Sequence, residues 1–145
     1  MFMISTTSTP GTERAIVWKK LPALKILVVD DESLIRWSLV ETLSDSGNEV
    51  VAVTDAQSAL QVVTDSPVPF DVALLDFRLP DSHDLTLLSR LRRLTPTTRI
   101  ILMTAYGTPE VLQGALDLGA FCVLNKPFEM NALSPLVTEA HESRV

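Results

Sequence analysis

Val72-Ala73-Leu74-Leu75-Asp76-Phe77-Arg78-Leu79-Pro80-Asp81 is the stretch from which the fold of this chain is read. Four apolar residues run without a break into one carboxylate, and Pro80-Asp81 mark a turn just beyond it. A short apolar run bounded by turn signals reads as a strand buried on both faces. Asp76 then stands at the carboxyl end of that strand. In an open α/β sheet this is the edge where ligands bind and chemistry takes place.

The pattern repeats on either side. Lys25 to Val29 is a β-branched apolar run that ends in Asp30-Asp31-Glu32, and further strands are expected over Glu49 to Val53, Arg99 to Thr104 and Phe121 to Asn125. Helical periodicity fills the gaps. Ile35, Leu39 and Leu43 share one face between Ser33 and Ser46, with Leu34 and Val40 beside them, and Gly47-Asn48 ends that helix. Asp55 can cap a helix through Asp65 whose Ala59, Leu60 and Val63 face inward, and Asp84 can cap one through Leu94 carrying Leu87, Leu88 and Leu91. Thr108-Pro109-Glu110 joins a capping hydroxyl, a proline at the first helical position and an acid near the positive end of the dipole; this helix stops at Gly119. A last helix is expected from about Glu129 to His141. Five strands alternating with five helices imply an α/β domain with a parallel sheet covered by helices on both faces.

A chain of 145 residues is the size of one domain, and 46% hydrophobic composition supplies its core. The domain is assigned to residues 24–142, preceded by an extension over 1–23 and followed by a short tail over 143–145. Ser5 to Gly11 is small, polar and rich in breakers, so the extension is expected to be flexible or peripheral, with one or two helical turns between Thr12 and Lys20 that Pro22 ends. A net charge of −6 disfavours direct nucleic-acid binding, because phosphates repel an acidic domain. Cys122 is the single cysteine, which excludes a disulfide framework and a cysteine-pair metal site and fits a reduced setting. No apolar run reaches the ~18 residues of a membrane span, and Met1 to Ile4 lacks the basic start and apolar core of a signal peptide. A cytoplasmic protein that does not meet the membrane is expected. His83 and His141 read as surface residues, and Arg90, Arg92, Arg93 and Arg99 as a solvated basic face.

The chemistry-bearing residues fall at strand ends. Asp30-Asp31-Glu32 follow the first strand, Asp76 ends the third, Thr104 ends the fourth and Lys126 follows the fifth. In a parallel sheet these ends share one edge. Clustered carboxylates repel one another unless a cation joins them, and a hard divalent ion such as Mg²⁺ is the natural partner for oxygen ligands. Lys126, followed by Pro127, supplies a point charge for phosphate, and Thr104 supplies a hydroxyl donor. Those parts describe phosphoryl transfer onto a carboxylate.

Val-Val-Asp30-Asp31-Glu32, Leu-Leu-Asp76-Phe-Arg-Leu-Pro80, Met-Thr104-Ala105-Tyr-Gly and Asn-Lys126-Pro127-Phe128, in this order and spacing over roughly residues 24–142, resemble the receiver domain of two-component response regulators. Thr104-Ala105-Tyr106-Gly107 resembles the nitrogen-regulator class in particular. The resemblance implies a flavodoxin-like (βα)5 fold with strand order 2-1-3-4-5. It implies that Asp76 is the phosphoacceptor, that Asp31, Asp76 and the backbone carbonyl of Arg78 hold Mg²⁺, and that Asp30 acts through water or by its charge. Thr104 and Lys126 would contact the phosphoryl group. The implied donor is a sensor histidine kinase or a phosphotransfer protein. The implied output is a partner, an output domain or a second copy met on the face formed by the fourth helix, fifth strand and fifth helix. Such a domain assists chemistry on itself rather than turning over a released substrate. A phosphatase of the haloacid-dehalogenase type needs a second acid two residues after its nucleophile, and Arg78 stands there. The alternative is a receiver-like interaction module that works without phosphate. The chain departs from the family pattern in Val123, where an aromatic switch residue is common, in His83-Asp84, where glycine is common, and in Pro135 inside the last helix. Arg78 and Tyr106 flank the pocket and are expected to obstruct attacking water.

Overall fold

The computed structural model describes residues 23–143. The strands are β1 (Lys25–Val29), β2 (Glu49–Val53), β3 (Val72–Asp76), β4 (Arg99–Thr104) and β5 (Cys122–Asn125). The helices are α1 (Ser33–Asp45), α2 (Ala56–Asp65), α3 (Thr86–Leu94), α4 (Pro109–Asp117) and α5 (Leu133–Glu142), with a single 3₁₀ turn, Met130–Ala132, before α5. The strands form one sheet in the order β2-β1-β3-β4-β5, every pairing parallel. This is the doubly wound flavodoxin-like arrangement expected from the sequence. The turns expected near Trp18 lie outside the described residues.

Alternation along the strands separates two cores. Leu27, Val29, Ala73, Leu75, Ile100 and Leu102 point to one face and pack with Ala59 of α2, Leu87, Leu88 and Leu91 of α3 and Ala115 of α4. Ile26, Val28, Val72, Leu74, Ile101 and Met103 point to the other and meet Leu39 and Leu43 of α1 and Leu133, Val137 and Ala140 of α5. Successive side chains of a strand alternate between faces, so a strand covered on both faces must be apolar throughout. β3 meets that demand in its first four residues, and all five, including Asp76 at its end, are buried. Each fully buried Leu or Ile contributes about 1.5–3 kcal/mol of transfer free energy, which is why the central strands are the most apolar.

Local chemistry sets most helix ends as expected. The Asp55 carboxylate accepts the Ser58 N–H at 2.7 Å, and the Thr108 hydroxyl accepts the Val111 N–H at 3.2 Å ahead of Pro109. Three ends differ. Asp84 accepts the Thr86 N–H at 2.9 Å, but α3 begins one residue later than a helix capped by Asp84, with Leu85 at the cap. A short carboxylate bonding backbone two residues on builds a turn of its own before the helix. β5 begins at Cys122 rather than Phe121, although the Phe121 N–H still reaches the Ile100 carbonyl at 2.7 Å. The last helix is split into the 3₁₀ turn and α5, and Pro135 falls in the first turn of α5. An N–H there has no intrahelical acceptor, so proline removes nothing. Leu34 is 75% exposed instead of flanking the core. It sits one residue, and so about 100° around the helix, from the Ile35-Leu39-Leu43 stripe that faces the sheet.

Gly47 and Gly119 end α1 and α4 with φ of +90° and +100°. A Cβ on Gly47 would meet nothing within 4 Å, whereas one on Gly119 would lie 2.7 Å from Arg92 Nε. Arg92 cannot swing away freely, because its guanidinium donates to the carbonyls of Pro96 and Thr98 at 3.1 and 3.3 Å. Gly47→Ala should therefore cost about 1 kcal/mol from the backbone alone, and Gly119→Ala roughly 1 kcal/mol more. Urea melts of both variants check this, and in an Arg92→Ala background the difference between them should vanish.

Candidate functional site

The backbone ladder brings the strand ends together. Asp76 is paired with Met103 in register and Thr104 with Asn125. The Phe77 N–H donates to the Met103 carbonyl at 2.8 Å, the Lys126 N–H to the Thr104 carbonyl at 2.8 Å, and the Asp30 N–H to the Val53 carbonyl at 3.2 Å. Residues 30, 76, 104 and 126 are thus fixed on one edge before any side chain interacts.

Lys126 Nζ occupies the middle of the acids. It lies 3.0 Å from Asp30 Oδ2, 3.3 Å from Glu32 Oε1 and 3.4 Å from Asp76 Oδ1. Asp30 is fully buried; its other oxygen accepts the Glu32 N–H at 2.9 Å, and its carbonyl accepts from Arg36 at 2.9 Å. Asp76 is 8% exposed. Burial raises its pKa, the neighbouring Asp30 charge raises it further, and Lys126 with the Arg78 N–H pulls against both, so that it stands at about 6. Burial alone would lower the pKa of Lys126, but its hydrogen bond to Asp30 and the charges of Asp30 and Asp76 outweigh that and hold it above its ordinary value. The site therefore keeps its cation and strains its central anion.

Carboxylate oxygens of Asp30, Asp31 and Asp76 all lie within 4.8 Å of one another. Hard oxygen donors in such a group suit Mg²⁺. Both oxygens of Asp30 are already engaged, so Asp31 and Asp76 hold the free ligand capacity. Beside them is a cavity of about 280 Å³ lined by Asp31, Asp76, Arg78, Thr104, Tyr106 and Lys126. The Thr104 hydroxyl accepts the Tyr106 N–H at 2.9 Å, a bond that does not use its own proton. The Arg78 guanidinium stands 4.4 Å from the centroid of the Tyr106 ring, a cation–π contact at the cavity wall.

The site thus gathers Asp30, Asp31, Asp76, Arg78, Thr104 and Lys126, all six expected from the sequence. It leaves aside His83, which is exposed, and His141, whose Nδ1 is 3.9 Å from Asp71. Cys122 packs in the core shared by α1 and α5, its pKa raised by burial and then by Glu139. Two residues gain parts that the sequence reading did not give them. Glu32 reaches Lys126, and Asp81, in the loop after β3, bonds two backbone N–H groups of α2. An acid directly after Pro80 was the only signal for the latter.

The family model for the response regulator receiver domain matches residues 26–138. The chain belongs to the response regulator receiver family. It is 33% identical over 113 residues to Sporulation initiation phosphotransferase F of Bacillus subtilis (strain 168), covering 78% of this chain and 90% of that protein. It is 34% identical over 128 residues to the DNA-binding transcriptional regulator NtrC of Escherichia coli (strain K12), covering 88% of this chain and 25% of that protein. A solved receiver domain protein, CheY-like, from Methanospirillum hungatei JF-1 superimposes with a TM-score of 0.79 at 29% identity, over 83% of this chain and 95% of that one. This receiver therefore spans nearly all of one relative and about a quarter of another. Receivers are phosphorylation-dependent signalling switches, and the nitrogen-regulator resemblance of residues 104–107 agrees with the NtrC match.

The raised pKa of Asp76 carries a sign. In the unfolded chain the carboxyl holds its proton only below about 3.9, whereas in this receiver it holds it up to about 6. Between these values the folded state binds more protons, so stability from this group is present in acid and lost as pH rises through 6. Asp76→Asn should therefore stabilise the metal-free receiver by on the order of 2 kcal/mol at pH 7.5 and about half as much at pH 5.0. Urea melts at the two pH values measure this; an equal gain at both would contradict the assigned cause.

Proposed function

We propose that Asp76 of this receiver accepts a phosphoryl group from the phosphohistidine of a sensor histidine kinase or phosphotransfer protein, and that the product alters a protein-binding face. The observation that carries the reading is a buried, unusually basic carboxylate at the wall of a cavity, with an ammonium 3.4 Å away. A carboxylate oxygen of Asp76 attacks phosphorus, and the P–N bond of the donor breaks. The imidazole leaves neutral, its proton on the other ring nitrogen, and an acyl phosphate remains. Asp31, Asp76 and the backbone carbonyl of Arg78 would hold Mg²⁺, whose charge would neutralise the phosphoryl oxygens, while Asp30 would act by its charge or through water. Lys126 pairs with the phosphoryl group, and Thr104 donates to it the proton it does not use toward Tyr106.

The chemistry is directed at the chain itself, with no released substrate. Support for the interaction faces comes from exposed apolar residues. Leu112 and Leu116 lie one turn apart on α4, with Leu118 just beyond, on the side assigned to an output domain, a partner or a second copy. Leu34 and Trp37 lie one turn apart on α1, directly after the acids that border the cavity, where a donor reaching for Asp76 must rest. Among the described residues no helix is long and apolar enough to cross a membrane, which accords with a cytoplasmic site of action.

Incubation with acetyl phosphate and Mg²⁺ should add one phosphoryl group, seen by mass spectrometry and absent with a chelator or in Asp76→Asn. An adduct that survives Asp76→Asn overturns the assignment, and no adduct on the unmodified chain favours a phosphate-independent module.

Arg78 and Tyr106, stacked at the cavity wall, obstruct the approach of water to the acyl phosphate. Arg78→Ala and Tyr106→Ala should each speed dephosphorylation by about threefold or more, a barrier change of somewhat under 1 kcal/mol. Loss of the adduct followed with time checks this, and unchanged rates would remove the obstruction from the account.

A further inference from the structure

We propose that Asp81 is a positioning residue of this site: it clamps the loop after β3 onto the start of α2 and so aims the backbone carbonyl of Arg78. The inference rests on the reading that this carbonyl holds Mg²⁺.

The loop runs from Phe77 to Leu85 and is pinned in stages. Its first residue is held by the Phe77 N–H on the Met103 carbonyl at 2.8 Å. Leu79 and Ser82 then bond each other in both directions, at 2.8 and 3.3 Å, around Pro80-Asp81. The Leu79 side chain is buried in the same core as Ala56 and Ala59 of α2. Asp81 closes the outer end, its Oδ1 accepting the Ala56 N–H at 2.8 Å and its Oδ2 the Gln57 N–H at 3.0 Å. Two charge-assisted bonds at the positive end of a helix make a strong anchor.

α2 has a cap of its own in Asp55, which takes the Ser58 N–H. The Asp81 contact spans 25 residues of sequence and adds a tie between helix and loop, beyond what ends the helix. Arg78 needs that tie. Its own N–H reaches Asp76 Oδ1 only at 3.4 Å, and its side chain lies over Tyr106, so the direction of its carbonyl is set by its neighbours Phe77 and Leu79. Leu79 belongs to the small hairpin whose tip Asp81 holds. Mg²⁺ tolerates little departure from octahedral geometry at about 2.0–2.1 Å, so a loosened hairpin weakens binding although no ligand is lost. Removing a residue that orients a ligand typically costs 10–100-fold in metal affinity.

The test is calorimetric titration of the full chain with Mg²⁺, comparing the unmodified protein with Asp81→Ala, Asp81→Asn and Asp55→Ala, each confirmed as folded by circular dichroism. Asp81→Ala should bind roughly tenfold more weakly, at the lower end for such residues. Asp81→Asn, which keeps one acceptor oxygen, should lose less, and it carries the test alone if Asp81→Ala does not fold. Asp55→Ala removes the other cap of α2 without touching the loop and should bind as the unmodified chain does. Unchanged affinity in the Asp81 variants overturns the proposal. So does an equal loss in Asp81→Ala and Asp81→Asn, which would assign the effect to charge, or an equal loss in Asp55→Ala, which would assign it to helix stability. If the unmodified chain binds no Mg²⁺, the metal reading fails and takes this proposal with it; normal binding with unaffected Asp81 variants removes this proposal alone.

Discussion

One ammonium group, Lys126 Nζ, holds together the acids at the carboxyl edge of the sheet. Asp30 is fully buried and ionisable, and a buried carboxylate without a partner is costly by several kcal/mol. Lys126 meets it at 3.0 Å and extends to Asp76 and Glu32. The compensation is incomplete at Asp76, where burial and the Asp30 charge prevail and leave the carboxylate more basic than usual. A site that fully neutralised Asp76 would be more stable and less reactive. On the proposed function, the residual imbalance is what draws a divalent ion and a phosphoryl group to this edge.

That imbalance can exist only because the sheet is rigid. β3 is buried along its whole length between β1 and β4, and each neighbour is locked to it in register. Asp76, Thr104 and Lys126 come from separate segments of sequence, yet their backbones are joined through the Met103 and Thr104 carbonyls. Charges held this way cannot relax apart to relieve their repulsion. The alternation that sorts side chains into two cores therefore also fixes the spacing of the acids.

Most of this was legible in the sequence, and the reason is physical. Strand ends in a parallel sheet converge whatever the connecting helices do, so Asp30, Asp31, Asp76, Thr104 and Lys126 could be placed together from the apolar runs before them. Helix caps were legible where one residue decides them, as at Asp55 and Thr108. What escaped depends on which of several short-range options a side chain takes. Asp84 builds a turn instead of capping α3 directly, because its carboxylate reaches the Thr86 N–H two residues on. Asp81 reaches a helix 25 residues away, a choice set by the loop's path and invisible in its neighbours. Pro135 looked like a break and is none, since a 3₁₀ turn shifts the start of α5 until the proline falls where its missing N–H has no partner to lose.

Val123 sharpens the question of how the edge communicates with the rest of the molecule. It packs against the core beside Leu102 and Ala115, and a branched aliphatic side chain has no polar end to trade between buried and exposed states. A bonded connection from the cavity to α4 runs through the β4–α4 loop. The Thr104 hydroxyl accepts the Tyr106 N–H, Tyr106 accepts the Thr108 N–H at 2.9 Å on its carbonyl, and Thr108 caps α4. Gly107 sits inside this chain of bonds, where a Cβ would come within 2.6 Å of Asn125 Oδ1, next to Lys126. The loop thus lies against the residue beside the site lysine, and a side chain at 107 would require the Asn125 amide to move. The Thr104 hydroxyl is thereby linked, through the Tyr106 backbone and the Thr108 cap, to the helix that exposes Leu112 and Leu116.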